Sequence, residues 1–322
     1  LASVASMIDQ FNMPNIKLLQ GMGYEVHIAA NFQHGSTTSD QRIVEFKREL
    51  EELGVSYYHV EFSRKVTDIA SNIKAYKKIK QLMTENQYQF VHCHSPIGGV
   101  IGRIAGHKTS IPIIYTAHGF HFYKGASFKN WLLYYPIEKW LSKYTDCLIT
   151  INQEDYNNAM NYNFKAKRIE LVHGVGIDLN KFQRQTQGRK YQLRKEYGYK
   201  DNDFILISVG ELNDNKNQAL LIKAVNLLKD KIPNIKLLLV GKGELADRYK
   251  DQVTELGIQE NVEFFGYRND VESLMTLSDV AVSASKREGL PVNVMEAMAI
   301  GLPLVVTDCR GNNDLVSHGI NG

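Results

Sequence analysis

Residues 283–303 read SASKREGLPVNVMEAMAIGLP, and the rest of the chain is organised around this stretch. Gly289-Leu290-Pro291 predicts a turn that opens a helix, because proline lacks the N–H that would stay unpaired in a first helical turn. Small residues and good helix formers continue from Val292 to Ile300, and Gly301-Leu302-Pro303 ends the helix. The stretch therefore predicts a strand, a tight loop and a short helix in succession.

Two carboxylates bracket the start of this predicted helix. Glu288 lies in the loop before it, and Glu296 lies about one turn inside it. The free N–H groups of a first helical turn favour an anion, and carboxylates accept hydrogen bonds from hydroxyl groups. This combination suits a ligand with both hydroxyls and phosphate, such as a nucleotide sugar. A plain surface loop is the weaker interpretation, because the helix is apolar nearly all round and an acid inside it needs a partner.

The pattern E-G-L-P-x-x-x-x-E, followed by A-M-A-x-G-x-P, resembles the E-x7-E signature of glycosyltransferase family 4. The resemblance implies the GT-B fold: α/β, with two doubly wound Rossmann-like domains facing across a cleft. It also implies retaining, metal-independent transfer from a nucleoside-diphosphate sugar, with UDP expected, and no further cofactor. Glu296 would bond the ribose hydroxyls and Glu288 the transferred sugar, while the backbone of Gly289, Leu290 and Pro291 would hold sugar and phosphate.

Composition indicates a globular protein with no nucleic-acid partner. The chain has 322 residues, 43% of them hydrophobic and 23% charged, with a net charge of only +3. Three cysteines without a C-x-x-C pair indicate neither a disulfide framework nor a zinc site, which favours the cytoplasm. No apolar run approaches the roughly 18 residues of a membrane-spanning helix. The terminal residues read as the end of one strand and the approach to another, as in part of a longer chain.

Short β-type runs alternate with helical stretches on both sides of a polar, strandless region that begins near residue 180. This alternation predicts parallel sheets flanked by helices. The predicted domains are residues 1–180, on the acceptor side, and residues 181–322, which would bind the nucleotide sugar. In the second domain the predicted strands are Phe204–Val209, Lys236–Val240, Val262–Phe265, Val280–Ser283 and Leu304–Thr307. Ligands bind such open sheets at the carboxyl ends of the strands.

The loop after the first strand of the second domain resembles the family's G-R-L-x-x-x-K motif, whose cations grip the donor diphosphate. Gly210, Leu212 and Lys216 match that motif, whereas Glu211 stands in place of the arginine. Because a carboxylate cannot bind phosphate, another cation would have to substitute, and Lys286 or Arg287 is the hypothesis. For Lys216 alone, a solvated lysine in a polar loop is the competing interpretation.

Two further loops follow strands of the same domain. Gly243, in the sequence GKGE, lacks a side chain and would allow a ligand close to the backbone. Tyr267 or Arg268 would lie near the nucleotide base, by resemblance to the family. The competing interpretation of this second loop is a turn that caps the next helix through Asn269 or Asp270.

Histidines follow two strands of the first domain. A lone histidine is more often structural than catalytic, but family resemblance makes His118 the candidate that meets the donor sugar, with His121 as a second choice. His92 and His94 would share one strand face, and two ligands without a third do not make a metal site. His94 and Ser95 are interpreted as cleft-lining residues.

Residues 120–143 interleave aromatic and aliphatic side chains with lysines, a composition suited to an anionic membrane surface. A buried helix with one solvent-exposed face is the competing interpretation. The sequence TAHGFHFYKG also resembles bacterial exopolysaccharide and capsule enzymes, which implies a glycan or polyprenyl-diphosphate-linked acceptor at the inner face of the membrane. Two rivals stay open: a nucleotide-sugar epimerase of the same fold, and an inert sugar-nucleotide-binding protein.

Overall fold

Parallel strands alternate with helices along both halves of the chain in the computed structural model, which describes residues 1–34, 38–63 and 68–322. The chain divides into two compact units, Leu1–Val175 (unit 1) and Gly176–Gly322 (unit 2), and each is described by itself. The α/β class and the parallel sheets predicted from the sequence are confirmed. The predicted domain boundary at residue 180 lies a few residues beyond this division and stays a prediction.

Unit 1 has two parallel sheets within its described residues. Its strands are β1 (His27–Ala30), β2 (Ser56–His59), β3 (Val91–Cys93), β4 (Ile113–Ala117), β5 (Cys147–Thr150) and β6 (Arg168–Leu171). Its helices are α1 (Ala5–Phe11), α2 (Met13–Gly21), α3 (Asp40–Glu52), α4 (Ile69–Asn86), α5 (Pro96–Thr109), α6 (Phe128–Ser142) and α7 (Gln153–Asn161). Strand β1 pairs with β2, and the other sheet has the order β3-β4-β5-β6. The carboxyl ends of β3 and β4 are therefore neighbours.

Unit 2 is built on a five-stranded parallel sheet. Its strands are β7 (Phe204–Val209), β8 (Ile235–Val240), β9 (Val262–Gly266), β10 (Val280–Ser283) and β11 (Leu304–Val306). Its helices are α8 (Gln187–Tyr197), α9 (Gln218–Leu228), α10 (Ala246–Glu255), α11 (Val271–Leu277) and α12 (Val292–Ile300). The strand order is β11-β10-β7-β8-β9, so the order reverses between β7 and β10. In such doubly wound sheets this reversal point is where ligands bind, at the carboxyl ends of the strands.

The sheet of unit 2 is buried on both faces, which explains why its strands read as continuous apolar runs. Ile205 and Ile207 pack with Leu238 in one core, whereas Leu237 and Leu239 belong to the core on the opposite face. Successive side chains of a strand point to opposite faces, so one apolar strand serves both cores.

Helix α8 was missed by the sequence analysis, which described this region only as polar and strandless. The helix begins after Thr186, whose side chain accepts a hydrogen bond from Arg189 N, and ends at Gly198. Arg194 is buried, and it donates to Leu277 O (3.0 Å) and to Asp279 Oδ2 (2.7 Å). Helix α8 is thus anchored by polar contacts with the last residue of α11 and with the segment that follows it. A search for apolar periodicity cannot predict a helix that is held in this way.

Helix α6 lies within the basic, aromatic segment 120–143 and has two distinct faces. Trp131, Tyr134 and Tyr135 pack against the core of unit 1. The opposite face is exposed and mixes apolar with basic side chains; its residues are Phe128, Lys129, Leu132, Leu133, Lys139, Trp140 and Lys143. Since successive helical residues advance by about 100°, these positions fall on one side of the helix. The interpretation as a buried helix with one solvent-exposed face is therefore confirmed, while contact of the exposed face with a membrane stays a prediction.

A buried ion pair ties α6 to its neighbours. Arg103 of α5, only 1% exposed, donates from Nη1 to Glu138 Oε2 of α6 at 2.8 Å. Its guanidinium also lies over the ring of Tyr115 in β4, 4.1 Å from the ring centroid. Within the described residues, no helix combines the length and the hydropathy that a membrane crossing requires.

Candidate functional site

Two loops of unit 2 meet at the reversal point of the sheet, one after β7 and one after β10. Lys286 N donates to Asn215 O at 2.8 Å, and the Asn215 side chain donates back to Arg287 O at 3.1 Å. These bonds bring together Lys216 and Glu288, whose Nζ and Oε1 atoms are 2.6 Å apart. Two candidate residues that are 72 positions apart in the sequence thus form one ion pair.

The Lys216–Glu288 pair is largely shielded from water, since the two side chains are only 23% and 11% exposed. The alkyl chain of Lys216 lies against Gly210, with Cε 3.4 Å from the position that a Cβ would occupy there. A Cβ at position 210 would be in ordinary van der Waals contact with the lysine. The pair offers an ammonium for a phosphate and a carboxylate for a hydroxyl in adjacent positions.

Arg310, in the loop after β11, was missed by the sequence analysis. It is buried, and its Nε donates to Glu288 O at 2.9 Å, while Glu288 N donates to Arg310 O at 3.1 Å. Gly311 follows with φ +83°, and a Cβ there would lie 2.6 Å from Gly289 O. This loop therefore holds the Glu288 loop through two reciprocal bonds and one close backbone approach. The sequence feature that could have identified Arg310 is its position after a strand, because that places it at the same edge of the sheet as Glu288.

The loop from Gly289 to Pro291 leads into α12, whose bounds agree with the prediction from the sequence. Leu290 is buried, which anchors the loop in the unit 2 structure, and Gly289 is only partly buried. Pro291 is the N-cap residue and has extended backbone angles, with φ of −76° set by its ring. The turn is therefore held by the burial of Leu290, while its contact with a ligand stays a prediction.

Glu296 lies partly buried on α12, near Lys181 and Glu272. Burial raises the pKa of Glu296 from its ordinary 4.5 to about 7; the nearby Lys181 ammonium lowers this pKa and Glu272 raises it further. Lys181 Nζ is 3.6 Å from Glu272 Oε2. At neutral pH this site thus holds a carboxyl group that both donates and accepts hydrogen bonds, which is what paired hydroxyls require.

Gly243 is required by the packing of two loops. A Cβ at this position would lie 2.2 Å from Leu212 O, so no side chain fits. Leu212 N donates to Lys242 O at 2.9 Å, which fixes the GKGE turn against the loop after β7. Gly241 is constrained similarly, because a Cβ there would lie 2.0 Å from Gly210 O. Contact between Gly243 and a ligand stays a prediction.

Tyr267 and Arg268 follow β9 and behave differently from one another. Tyr267 is exposed, whereas Arg268 donates from Nε to Asp270 Oδ1 at 2.7 Å. This bond to Arg268 lowers the pKa of Asp270 to about 2, and the hydroxyl of Tyr197 also donates to that carboxylate. Asp270 is the N-cap residue of α11, but its side chain makes no capping hydrogen bond there. The interpretation of Asp270 as a side-chain cap was therefore wrong, because Arg268 engages the carboxylate.

The cations suggested as substitutes for the family's arginine have other neighbours. Glu211 is exposed and accepts a hydrogen bond from Asn213 Nδ2 at 3.0 Å. Lys286 pairs with Asp214, with Nζ and Oδ2 2.7 Å apart at the surface. Arg287 is partly buried, and its carbonyl holds Asn215. Arg310 is the arginine that contacts the Glu288 loop directly.

Three histidines gather at the carboxyl ends of β3 and β4 in unit 1. The rings of His92 and His94 have centroids 3.9 Å apart, and His94 Nδ1 lies 3.4 Å from His118 Nε2. Burial lowers the pKa of His118 to about 4, so this imidazole is neutral at physiological pH. Ser95 instead caps α5, accepting a hydrogen bond from Gly98 N, and His121 stacks on Tyr134. Among the described residues, no three His, Cys, Asp or Glu side chains form a metal site.

Family models match both units. The model described as Glycosyltransferase Family 4 matches residues 16–181, more than half of the chain, and the model described as Glycosyl transferases group 1 matches residues 190–322. EpsD of Bacillus subtilis (strain 168), named as a glycosyltransferase, is 40% identical over 324 residues, covering 100% of this chain and 81% of EpsD.

A second relative comes from Escherichia coli and is named UDP-Gal:alpha-D-GlcNAc-diphosphoundecaprenol alpha-1,3-galactosyltransferase. It is 31% identical over 262 residues, which cover 80% of this chain and 66% of the relative. Among solved structures, Anabaena Alr3699/HepE in complex with UDP and glucose has a TM-score of 0.77 at 21% identity, covering 100% of this chain and 83% of HepE. WaaG, a glycosyltransferase involved in lipopolysaccharide biosynthesis, has a TM-score of 0.71 at 19% identity, covering 97% of this chain and 80% of WaaG.

The structural likeness confirms the GT-B fold class that the sequence resemblance implied. The two family models account for nearly all of the chain, and the identity to EpsD extends over its whole length. The chain therefore belongs to glycosyltransferase family 4 and is a glycosyltransferase.

Proposed function

We propose that this glycosyltransferase moves a sugar from a UDP-sugar to a sugar on a polyprenyl diphosphate, with retention of anomeric configuration, in the synthesis of a bacterial exopolysaccharide or capsule. The observation that carries the proposal is the Lys216–Glu288 ion pair at the reversal point of the unit 2 sheet. The name of the E. coli relative supports the choice of a UDP-sugar and a diphosphoundecaprenol acceptor. The complex of HepE with UDP-glucose supports the choice of UDP.

Each charged group of the site has a part in this reaction. Lys216 binds the diphosphate, Glu288 binds hydroxyls of the transferred sugar, and Glu296 binds the ribose hydroxyls. The bond from the anomeric carbon to the diphosphate oxygen breaks, and a bond to the acceptor oxygen forms on the same face. The acceptor proton passes to the departing diphosphate. The lysine beside the leaving oxygen stabilises the charge that develops there.

His118 completes the proposed apparatus as a neutral hydrogen-bonding group for the transferred sugar. Its low pKa keeps it uncharged at physiological pH. A neutral imidazole can donate from one nitrogen and accept at the other, which suits a sugar hydroxyl.

Calorimetric titration with UDP and GDP is the first test. We expect UDP to bind, and Lys216→Met to weaken UDP binding by about tenfold or more, because a hydrogen bond to a charged group contributes about 1.5–3 kcal/mol. Glu296→Ala should also weaken it. Lys250→Met is the matched control: it removes a surface lysine of α10 that pairs with Asp247, and it should leave UDP affinity unchanged. Equal losses in Lys216→Met and Lys250→Met would contradict the assignment.

Turnover is tested with a panel of UDP-sugars and polyprenyl-diphosphate-linked sugars. We expect UDP release that depends on the acceptor, and an α-linked product from an α-linked donor by NMR. Glu288→Gln should abolish most of the transfer. Conversion of the UDP-sugar to its epimer without an acceptor would favour the epimerase, and UDP-sugar binding without turnover would favour the inert protein.

We also propose that α6 contacts the anionic membrane surface on which the acceptor lies. Its outer face carries Phe128 and Leu132, which are 79% and 67% exposed, together with three lysines. Lys143 Nζ lies 4.9 Å from the ring centroid of Trp140, so a charge and an aromatic ring are presented together. Apolar side chains enter the headgroup region while lysines attract anionic lipid.

Co-sedimentation with vesicles tests this contact. The chain should bind phosphatidylglycerol vesicles, bind phosphatidylcholine vesicles weakly, and lose binding as salt rises. Phe128→Ser/Leu132→Ser should reduce binding more than tenfold, since each buried side chain contributes about 1.5–3 kcal/mol. Leu227→Ser, which removes an exposed leucine from α9, is the matched control. Equal binding by both variants would remove α6 from the contact.

A further inference from the structure

A chain of polar contacts crosses the ends of β3 and β4 in unit 1. His92 Nε2 lies 2.8 Å from Thr116 Oγ1, and the His92 ring packs on the His94 ring. His94 Nδ1 in turn lies 3.4 Å from His118 Nε2. His94 is only 6% exposed, so its ring nitrogens are shielded from water that could replace this contact.

Two neutral imidazoles in contact must divide the donor and acceptor roles. Burial lowers the pKa of His94 well below its ordinary value and that of His118 to about 4, so neither ring carries a charge at neutral pH. A neutral imidazole has one N–H and one bare nitrogen, and the partner of one nitrogen decides which of the two carries the proton. The state of His94 Nδ1 therefore sets the state of His118 Nε2.

We propose that His94 is a positioning residue that holds the His118 ring in one tautomer and one orientation. This inference rests on the proposed function only in assigning His118 to sugar transfer. Within the part of the chain that the structure describes, the side chain of His118 has no hydrogen bond other than the one to His94. Nδ1 of His118 is thus the nitrogen left for a substrate hydroxyl, and His94 decides whether that nitrogen donates or accepts.

Asparagine and glutamine make a matched pair of substitutions at position 94. An asparagine amide reaches about as far as Nδ1 of histidine, and a glutamine amide reaches about as far as Nε2. His94→Asn therefore keeps a polar group opposite His118 Nε2, whereas His94→Gln moves it away. Both variants carry a neutral amide at the same buried position, so a general loss of stability affects both.

Nitrogen chemical shifts of the ¹⁵N-labelled full chain give a direct measurement. We expect the two His118 nitrogens of the wild-type chain to show one protonated and one bare nitrogen, with little averaging. His94→Asn should keep this pattern, and His94→Gln should move both shifts toward an average of two tautomers. His107→Gln, which replaces an exposed histidine of α5, should leave the His118 shifts unchanged.

Kinetics give the second readout. His94→Gln should lower kcat by about tenfold with little change in KM for the donor, which is the size of one lost hydrogen bond, and His94→Asn should restore most of it. Averaged His118 shifts in the wild-type chain, or unchanged shifts in His94→Gln, would overturn the inference. The shift measurement needs no substrate, so it decides the role of His94 even where the transfer assay finds no activity and the proposed function fails.

Discussion

Glu296 makes the stability of unit 2 depend on pH. Its pKa rises on folding from 4.5 to about 7, so the folded state binds more protons than the unfolded state between these two values. The contribution of Glu296 to stability is therefore greatest below pH 4.5, falls as pH rises through 7, and then levels off. The loss amounts to on the order of 2 kcal/mol, given partial exposure and the nearby Lys181.

Glu296→Gln should abolish this loss. We expect the variant to gain stability relative to the wild-type chain between about pH 5 and about pH 8, measured by urea unfolding at each pH. Glu255→Gln, at an exposed position on α10, should follow the wild-type chain. A constant difference between Glu296→Gln and wild type across this range would show that the Glu296 pKa is not raised.

Arg310 should matter to donor binding through the Glu288 loop. Arg310→Ala removes the bond from Nε to Glu288 O, and we expect UDP-sugar affinity to fall by about tenfold, the value of one hydrogen bond from a charged donor. Calorimetry measures the affinity, and Arg189→Ala, an exposed arginine of α8, is the control. Unchanged affinity in Arg310→Ala would mean that backbone contacts alone hold the loop.

Some residue roles could be predicted from the sequence and others could not. The spacing of Glu288 and Glu296 could be recognised in the sequence because Glu288 lies in a loop and Glu296 lies in the helix that directly follows that loop. Arg310 could not be identified, since its contact joins the loop after β11 to the loop after β10. Arg268 looked available in sequence, but the local turn brings Asp270 within hydrogen-bonding distance of it.

At the scale of elements, the buried Arg103–Glu138 ion pair holds α6 against α5. Glu138→Gln would leave the Arg103 charge buried without its counter-ion, and we expect a loss of about 3–5 kcal/mol in unfolding free energy. Arg103→Met/Glu138→Leu should lose less, because no charge is then buried.

Thermal and urea unfolding of unit 1 measure this effect. The control is Glu170→Gln, which breaks the surface pair of Glu170 with Arg168 and should cost about 0–1 kcal/mol. Equal losses in Glu138→Gln and the double variant would show that packing, and not the unpaired charge, sets the stability.

Elements with a strong apolar pattern were predictable, and polar elements were not. The bounds of β7, β10 and α12 coincide with the sequence prediction, because their apolar residues fill the cores of unit 2. Helix α8 has few apolar residues and is held by Arg194 contacting Leu277 and Asp279. The strand end expected in the first residues is present as backbone pairing of residues 2–5 with the β1 segment. Ala2 N donates to Ala29 O at 3.1 Å, and Val4 forms a parallel bridge with Asn31.

At the scale of the whole molecule, each unit has cores of its own, so ligand binding can be followed unit by unit. Both tryptophans of the chain, Trp131 and Trp140, lie in α6 of unit 1. Tryptophan fluorescence therefore reports the unfolding of unit 1, whereas far-ultraviolet circular dichroism reports helices and strands of both units. The two signals together separate an effect on unit 2 from a general effect of the ligand solution.

UDP should stabilise the part of the unfolding transition that belongs to unit 2. A ligand that binds only the folded state adds about 2.7 kcal/mol at one hundred times its Kd. We expect the dichroism transition to move to higher urea with UDP, by more than the fluorescence transition moves. Lys216→Met should shrink this shift, because the proposed donor site loses the charge assigned to phosphate binding. A shift seen only in fluorescence would place the nucleotide on unit 1 and contradict the assignment of the site to Lys216, Glu288 and Glu296.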